Sequence, residues 1–438
     1  MTASLIDART APAHPGLGGL PRPGSPQPGL HRPGWNRPGL PGLGVAGRLP
    51  GRMPRELLAP GVLLLAGAEP GRTGSWADHL RIWGRSATLT LEELIARVEA
   101  QDVVGAGGAA FPTHRKLQSL AGSRVSMVIV NGAEGESASG KDGVLLSHVP
   151  HLVLDGALSA ARALGAPRIV VRISADRPDL AALLPRVLAE RSDGIPIELS
   201  VGPASFVAGE ATAVISAVTG GPALPTSLGL PPVAPARLGR RRAHVLLSNA
   251  ETFARVGVAS RGEYGGSALA SASGAVSAPG VVELPLESTL ADLAGAAGGI
   301  VGAPRVLVTG GWHGRWVTWD AAASSTALTR DSLATLGGRW GAGAFVWIPE
   351  DLPSWDALAA VAKELASGTA GQCGPCWRGL PAVSAGIARI ADQPGSGPTS
   401  RGELEALMTQ VDGRGICAHP SAAVAALRSA LDLIGVQQ

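Results

Sequence analysis

The chain has 438 residues, enough for two to four domains at about 150 residues each, and its 37 basic against 34 acidic residues leave a net charge of +3. That balance excludes the polycationic surface of a nucleic-acid-binding domain. The longest apolar run, Leu57 to Ala68, is broken at Pro60 and Gly61 and is too short to span a bilayer. Three cysteines, all beyond residue 370, exclude a disulfide framework and point to a reducing, cytoplasmic compartment. Met1 to Ala13 lacks the basic and apolar regions of a secretory leader.

Residues 1–55 read as a disordered Pro/Gly/Arg-rich tail. Pro-Gly recurs at Arg22-Pro23-Gly24, Arg32-Pro33-Gly34 and Arg37-Pro38-Gly39, and residues 8–55 hold seven arginines and no acid. Such a segment buries too little apolar surface to offset chain entropy. From residue 56 to 262 an α/β domain is expected. Thr90 and Glu93 form a capping box ahead of apolar Leu94, Ile95 and Val98 on one helical face. Val125–Val130, Ile169–Ile173 and Ile195–Val201 read as strands, alternating with helices over Leu152–Leu164 and Asp179–Ala189, which argues for a largely parallel sheet. Residues 263–345 change texture. A hairpin turning at Pro279-Gly280, a short helix capped by Thr289 and Asp292, and a strand over Val306–Val308 suggest a β-grasp module. Residues 346–438 read as four helices, over 354–366, 380–391, 402–411 (capped by Ser400 and Glu403) and 421–434, making an antiparallel bundle.

Four groups of residues carry chemistry. Gly105-Ala106-Gly107-Gly108 runs into Phe111-Pro112-Thr113 and Lys116. Glycines let backbone amides approach a phosphate and the lysine adds a point charge, though the run alone also fits a flexible loop. Asn131-Gly132-Ala133-Glu134-Gly135-Glu136 follows a strand, where open α/β sheets bind ligands, and Lys141-Asp142 comes after it. Gly209-Glu210-Ala211-Thr212-Ala213 and Asn249-Ala250-Glu251-Thr252 are uninformative singly. Cys373, Cys376 and Cys417 crowd into one short region. Thiolates there suit an iron–sulfur cluster or zinc, with a redox pair or inert thiols as the alternatives.

Together these residues resemble the NADH-oxidising flavoprotein subunit of respiratory complex I, the 51 kDa type, and the related diaphorase subunits of hydrogenases and formate dehydrogenases. The family's Gly-Arg-Gly-Gly-Ala-Gly-Phe-Pro-Thr is close to Gly105–Thr113. Its Asn-Ala-Asp-Glu-Gly-Glu is similar to Asn131–Glu136, its Gly-Glu-Glu-Thr-Ala to Gly209–Ala213, and its Asn-Val-Glu-Thr to Asn249–Thr252. Order and spacing agree from about residue 95 to 430. The resemblance implies an FMN-binding α/β domain, a β-grasp domain of the soluble-ligand-binding type, and a helical end carrying a [4Fe–4S] cluster. It implies NADH as donor and a ferredoxin or other redox subunit as protein partner, with no nucleic acid, no membrane span and at most a peripheral membrane association.

By that likeness Gly105, Gly107, Gly108, Asn131, Glu134, Gly209 and Asn249 surround the flavin, Glu210 and Thr252 belong to the cofactor site, Phe111 remains of the aromatics that flank the adenine, Lys116 and Glu136 hold the nucleotide, and Cys373, Cys376 and Cys417 ligate the cluster. The chain departs from the pattern at several places. Ala106 replaces the family's Arg, Ala133 its Asp, Ala211 its second Glu, and Ala370 the first cluster Cys, while Ser119 and Val233 stand for aromatics that flank the adenine. A fourth cluster ligand then comes from His419, Ser367, Thr369, water or a partner, or a [3Fe–4S] form appears. A scaffold that has lost nucleotide binding, and a redox subunit served by ferredoxin instead of NADH, are the competing expectations.

Overall fold

The computed structural model describes residues 56–59, 61–226, 236–238, 241–262, 266–352, 354–392 and 401–437. The expected tail, Val233 and the Ser400 cap lie outside them.

Helices α1 (Trp76–Trp83) and α2 (Leu91–Ala100) open the described chain, each with a capping box, Ser75/Asp78 and Thr90/Glu93. Short α3 (Thr113–Gln118) leads to β1 (Val125–Gly132). Then come α4 (Lys141–His148), α5 (Pro150–Leu164), β2 (Ile169–Ser174), α6 (Pro178–Ala189) and β3 (Ile197–Gly202). Helix α7 (Ala211–Val218), β4 (Ala236–Leu238), β5 (Arg241–Asn249) and α8 (Ala250–Ala259) complete the layer. The sheet order is β3-β2-β1-β5-β4, parallel except for edge strand β4. Both faces of β1 are covered. Val128 and Val130 join the core under α5 and α8, while Met127 and Ile129 join the smaller one under α7. Hence β1 is continuously apolar from Met127 to Val130 instead of alternating. Helices α5 and α8 touch at backbone distance. A Cβ on Gly156 would lie 1.8 Å from the Phe253 carbonyl oxygen, and one on Gly257 2.6 Å from that of Leu152.

A second sheet is built from β6 (Ser267–Gly274), β7 (Gly280–Pro285), β8 (Val306–Thr309), β9 (Arg315–Thr318) and β10 (Ala344–Ile348), in the order β7-β6-β10-β8-β9. Only the β6–β10 pair is parallel. The β6–β7 hairpin differs from the expected Pro279-Gly280 turn. Gly280 already pairs with Ala272, and the connection spans 275–279. Ala275 and Val276 are buried, so the loop widens to bring them into the core with α9 (Leu290–Ala296). Helices α10 (Ala321–Ser324) and α11 (Arg330–Thr335) follow β9.

The opposite face, presenting Val306, Val308, Trp316, Val346 and Ile348, packs on α12 (Ser354–Ser367), α13 (Leu380–Asp392), α14 (Arg401–Val411) and α15 (His419–Gln437). A π-helical turn over Pro375–Gly379 precedes α13. Across the two sheets, Glu283 of β7 accepts hydrogen bonds from the backbone amides of Leu63, Leu64 and Leu65, and Leu57 bridges to Val281. Among the described residues no single helix is long and apolar enough to cross a membrane.

Candidate functional site

From β1 the chain moves outward through β2 to β3, then crosses back over the sheet to place β4 and β5 on the other side of β1. The carboxyl ends of β1 and β5 therefore form a topological switch point, the usual ligand crevice of an open α/β sheet. Asn131 and Asn249 pair there as the last register partners of the two strands. The Asn131 amide donates to the Gly209 carbonyl at 2.9 Å, and its oxygen accepts from the Ala133 amide. This one side chain ties the β1 turn to the segment before α7.

The glycine loop closes over the same end. Gly105 donates to the Phe111 carbonyl and Ala106 to Thr252 Oγ1 at 3.0 Å. Gly107 lies so near Asn249 that a Cβ would sit 2.7 Å from its Oδ1. Gly108, at φ +100°, passes Gly341 of the second module in a conformation that disfavours side chains. Phe111 is exposed beside it. A Cβ on Gly209 would meet the Ala133 carbonyl oxygen at 2.3 Å. Glu210 caps α7, accepting from the Thr212 and Ala213 amides, and Glu134 accepts from the Asp142 and Gly143 amides at the start of α4. Two carboxylates expected at the cofactor site thus also hold helix N-termini, where the dipole favours them.

Lys116 points inward. Its Nζ donates to the Leu247 carbonyl at 2.9 Å and to Ser248 Oγ at 3.2 Å, and burial pushes its pKa down to about 8. The structure therefore brings it to the end of β5 and not to the rim of the loop.

Lys141 lies fully buried, 2.9 Å from Glu251 and 3.3 Å from Asp142. Asp142 accepts from the Glu251 amide at 2.8 Å, and Arg255 also binds Glu251. Burial pushes the Asp142 carboxyl up to about 6, with Lys141 opposing the rise. The residue pattern did not lead to this cluster, although a signal was present: Lys141 is one of only three lysines, placed on an otherwise apolar stretch.

Glu136 faces another way. It accepts from the Ala138 and Trp312 amides, at 3.2 and 3.0 Å, and His313 Nδ1 stands 3.6 Å from its Oε2. Trp312 and His313, on the turn between β8 and β9, were not anticipated from sequence. His419 corrects one expectation. Its Nδ1 meets His313 Nε2 at 2.9 Å and its Nε2 meets the Leu365 carbonyl at 3.0 Å. With both ring nitrogens committed, it has no free lone pair for a metal. Ser367 likewise donates to the Glu364 carbonyl.

Cys376 and Cys417 are buried and Cys373 half-buried. Burial, with Cys373 and Cys417 adding to it, pushes the Cys376 thiol up to about 12, and burial together with Glu210 and Cys373 also raises Cys417. The Ala370 amide points at the Cys376 sulfur, so Ala370 is next to the thiols it contributes no ligand to. Among the described residues no three His, Cys, Asp or Glu side chains converge on the spacing of a single metal ion. Neutral thiols crowded in an apolar place become good ligands once a cationic centre replaces their protons. That chemistry fits a cluster, whose several irons spread the ligands, better than it fits one zinc.

Fold and site define a two-sheet α/β protein with a ligand crevice at a switch point and a thiol-bearing helical end. Residues 98–258 match the family model described as Nuo51 FMN-binding domain, and 356–434 match the NADH-ubiquinone oxidoreductase-F iron-sulfur binding region. An NADH-quinone oxidoreductase subunit of Aquifex aeolicus is 27% identical over 345 residues, covering 72% of this chain and 79% of the relative. Its counterpart of the same name in Escherichia coli is 28% identical over 374 residues, covering 78% and 83%. A crystal structure of NAD+-reducing [NiFe]-hydrogenase in the H2-reduced state superposes with a TM-score of 0.67 at 23% identity, over 78% of this chain and 62% of that one, a likeness of fold. The chain spans about three fifths of that hydrogenase chain. It belongs to the complex I 51 kDa flavoprotein family.

Proposed function

We propose that the chain is a cytoplasmic electron-transfer subunit that takes electrons from NADH through FMN and an iron–sulfur cluster to a protein acceptor. The observation that carries this is the meeting of the glycine loop, the Asn131–Glu136 turn and the Asn249–Thr252 turn at one switch point, on a chain whose three cysteines gather among its last helices, close enough for Glu210 to act on Cys417. Thr113 Oγ1, buried without a partner at the start of α3 just after the glycine loop, is an unspent donor there. In this reading the family's division applies: a flavin domain over 56–262, a β-grasp domain over 263–345 and a four-helix iron–sulfur bundle over 346–438, with Leu57–Leu65 clipped across the first boundary.

Gly105, Gly107 and Gly108 let backbone amides line the crevice, while Asn131, Asn249 and Thr252 orient polar groups at its floor. Glu134 and Glu210 stiffen the helix starts beside it. Glu136 accepts hydrogen bonds from nucleotide hydroxyls, and Lys116 supplies positive charge from beneath. Cys373, Cys376 and Cys417 hold the cluster through their thiolates. The cofactors, when bound, supply the conversion of a two-electron donor into single-electron transfers. Trp377, 69% exposed beside Cys376, marks the face an acceptor protein approaches. One observation favours a ferredoxin donor instead: the inward turn of Lys116, together with Ser119 whose hydroxyl donates to the Lys116 carbonyl, leaves Phe111 as the lone aromatic of the rim motif.

A visible spectrum and stopped-flow mixing test the reading. Flavin bands with a broad iron–sulfur shoulder, bleached by NADH and slowed in Glu136→Ala and Lys116→Ala, support it. A flavin that stays oxidised over minutes in NADH excludes the nucleotide donor, and a flat spectrum after reconstitution excludes redox work altogether.

A further inference from the structure

A cavity of about 360 Å³ opens behind the glycine loop, between α8 and the second module. Gly107, Asn131, Glu136, Gly209 and Asn249 stand outside its lining, so it is separate from the crevice. One side is apolar, made by Leu63, Val258, Leu286, Leu328 and Trp340. Leu286 is 42% exposed there.

The charged side does not neutralise itself in place. Glu251 is committed, 2.9 Å from Lys141 and 2.8 Å from Arg255. Arg330 is half-buried and donates no hydrogen bond among the described residues. Arg255 and Arg339 repel it, while Glu251 and Asp102 stabilise its charge from a distance. Burial lowers its pKa, the behaviour of a guanidinium short of partners. Asp102 lines the cavity with no ion pair of its own among the described residues, and Asp331 does the same. Asp102 also holds φ +45°, a strained conformation for a residue with a side chain, and such strain gathers at functional sites. An acid and a guanidinium thus share one space without touching.

We infer that this cavity binds a small zwitterion, an apolar α-amino acid, whose carboxylate takes the Arg330 fork, whose ammonium meets Asp102 and whose side chain lies along Leu328 and Trp340. An α-amino acid carries its two charges on one carbon, so it bridges an acid and a guanidinium that do not reach each other. A plain anion would be repelled by Asp102 and Asp331, and a plain cation by Arg330. The apolar wall adds the burial of the side chain. Val103, Val104 and Ala106 line the same space, and the Ala106 amide donates to Thr252 Oγ1. A bound amino acid therefore packs against the glycine loop from the side away from the crevice.

Calorimetric titration of the full chain tests this with L-phenylalanine and its two single-charge analogues, 3-phenylpropionate and phenethylamine. Phenylalanine should bind about tenfold more tightly than either, the worth of one charge-assisted hydrogen bond. Arg330→Gln should abolish its advantage over phenethylamine. Asp102→Asn, a change to a residue that tolerates the same φ, should abolish its advantage over 3-phenylpropionate. Saturating FMN or NADH should leave phenylalanine binding in place. Equal binding of phenylalanine and either analogue by the parent chain overturns the inference, whatever the variants do. Unaltered preferences in both variants, displacement by FMN or NADH, or no binding of any of the three probes overturn it as well.

Discussion

Replacing Lys141 by methionine removes the cation shared by Asp142 and Glu251 while keeping most of the side chain's volume. All three groups are almost wholly shielded from water. Breaking a buried pair by deleting one partner costs about 3–5 kcal/mol, because the remaining charge keeps its desolvation penalty. In a unit of this size that corresponds to a melting point lower by about 5–10 °C. The loss has a pH signature. An acid whose folded pKa is raised contributes stability that is present below its unfolded pKa and lost as pH rises through the folded value. Asp142 already sits at about 6 with Lys141 beside it, so without the lysine it rises further and Glu251 rises with it. The deficit of the variant should therefore be largest near pH 8 and shrink toward pH 5. Adding Glu251→Gln, which removes one of the stranded carboxylates, should restore part of the stability. Scanning calorimetry across that range reads all three effects. A variant that melts within about 1 °C of the parent at pH 8, or whose deficit grows on acidification, refutes the assignment of Lys141 as the neutralising charge.

Further outcomes follow from the same geometry. Gly107→Val forces a side chain onto Asn249 Oδ1, 2.7 Å from where its Cβ must go, and should abolish flavin retention in a reconstitution assay while the circular dichroism spectrum is kept. Cys376→Ser should eliminate the EPR signal of an anaerobically reconstituted cluster; because burial holds the Cys376 and Cys417 thiols protonated until metal arrives, reconstitution should release protons measurable in weakly buffered solution. His151, held neutral by burial and by Arg191 with its pKa pushed down to about 4, contributes stability above its unfolded pKa that is lost as pH falls from 6.5 toward 4. His151→Asn should flatten that acid limb in a denaturation series, and an unchanged limb would place the acid sensitivity elsewhere.

The first sheet was readable because its strands are continuous apolar runs and its helices begin at proline or at a capping box; Val125, Ile169 and Leu180 each fall where the pattern puts them. Helices α1, α4, α7 and α8 were not legible. The buried face of α4 includes Lys141 and Asp142, a charge pair that breaks the apolar periodicity and is reconciled only by Glu251 from far along the chain. The glycine and asparagine motifs, weak or uninformative singly, pointed to the crevice through their joint resemblance to the family pattern. His313 and Trp312 stayed hidden, since nothing local shows that a β8–β9 turn reaches Glu136. The inward aim of Lys116 and the double commitment of His419 likewise depend on backbone carbonyls, Leu247 and Leu365, that no residue pattern announces.

The clasp of Glu283 on the amides of Leu63, Leu64 and Leu65 has a bearing on how the protein can be taken apart. The stretch leading into the first layer is anchored on a strand that comes after that layer is complete, so the chain closes a ring over some 220 residues. A fragment beginning near residue 266 would retain the carboxylate, sheltered from solvent, with three of its donors gone; one ending near 262 would release Leu57 from Val281. Neither half inherits a finished edge. Limited proteolysis between the sheets should leave nicked pieces that stay associated and separate only on denaturation, and complementation by co-expressed halves should succeed where either half alone aggregates.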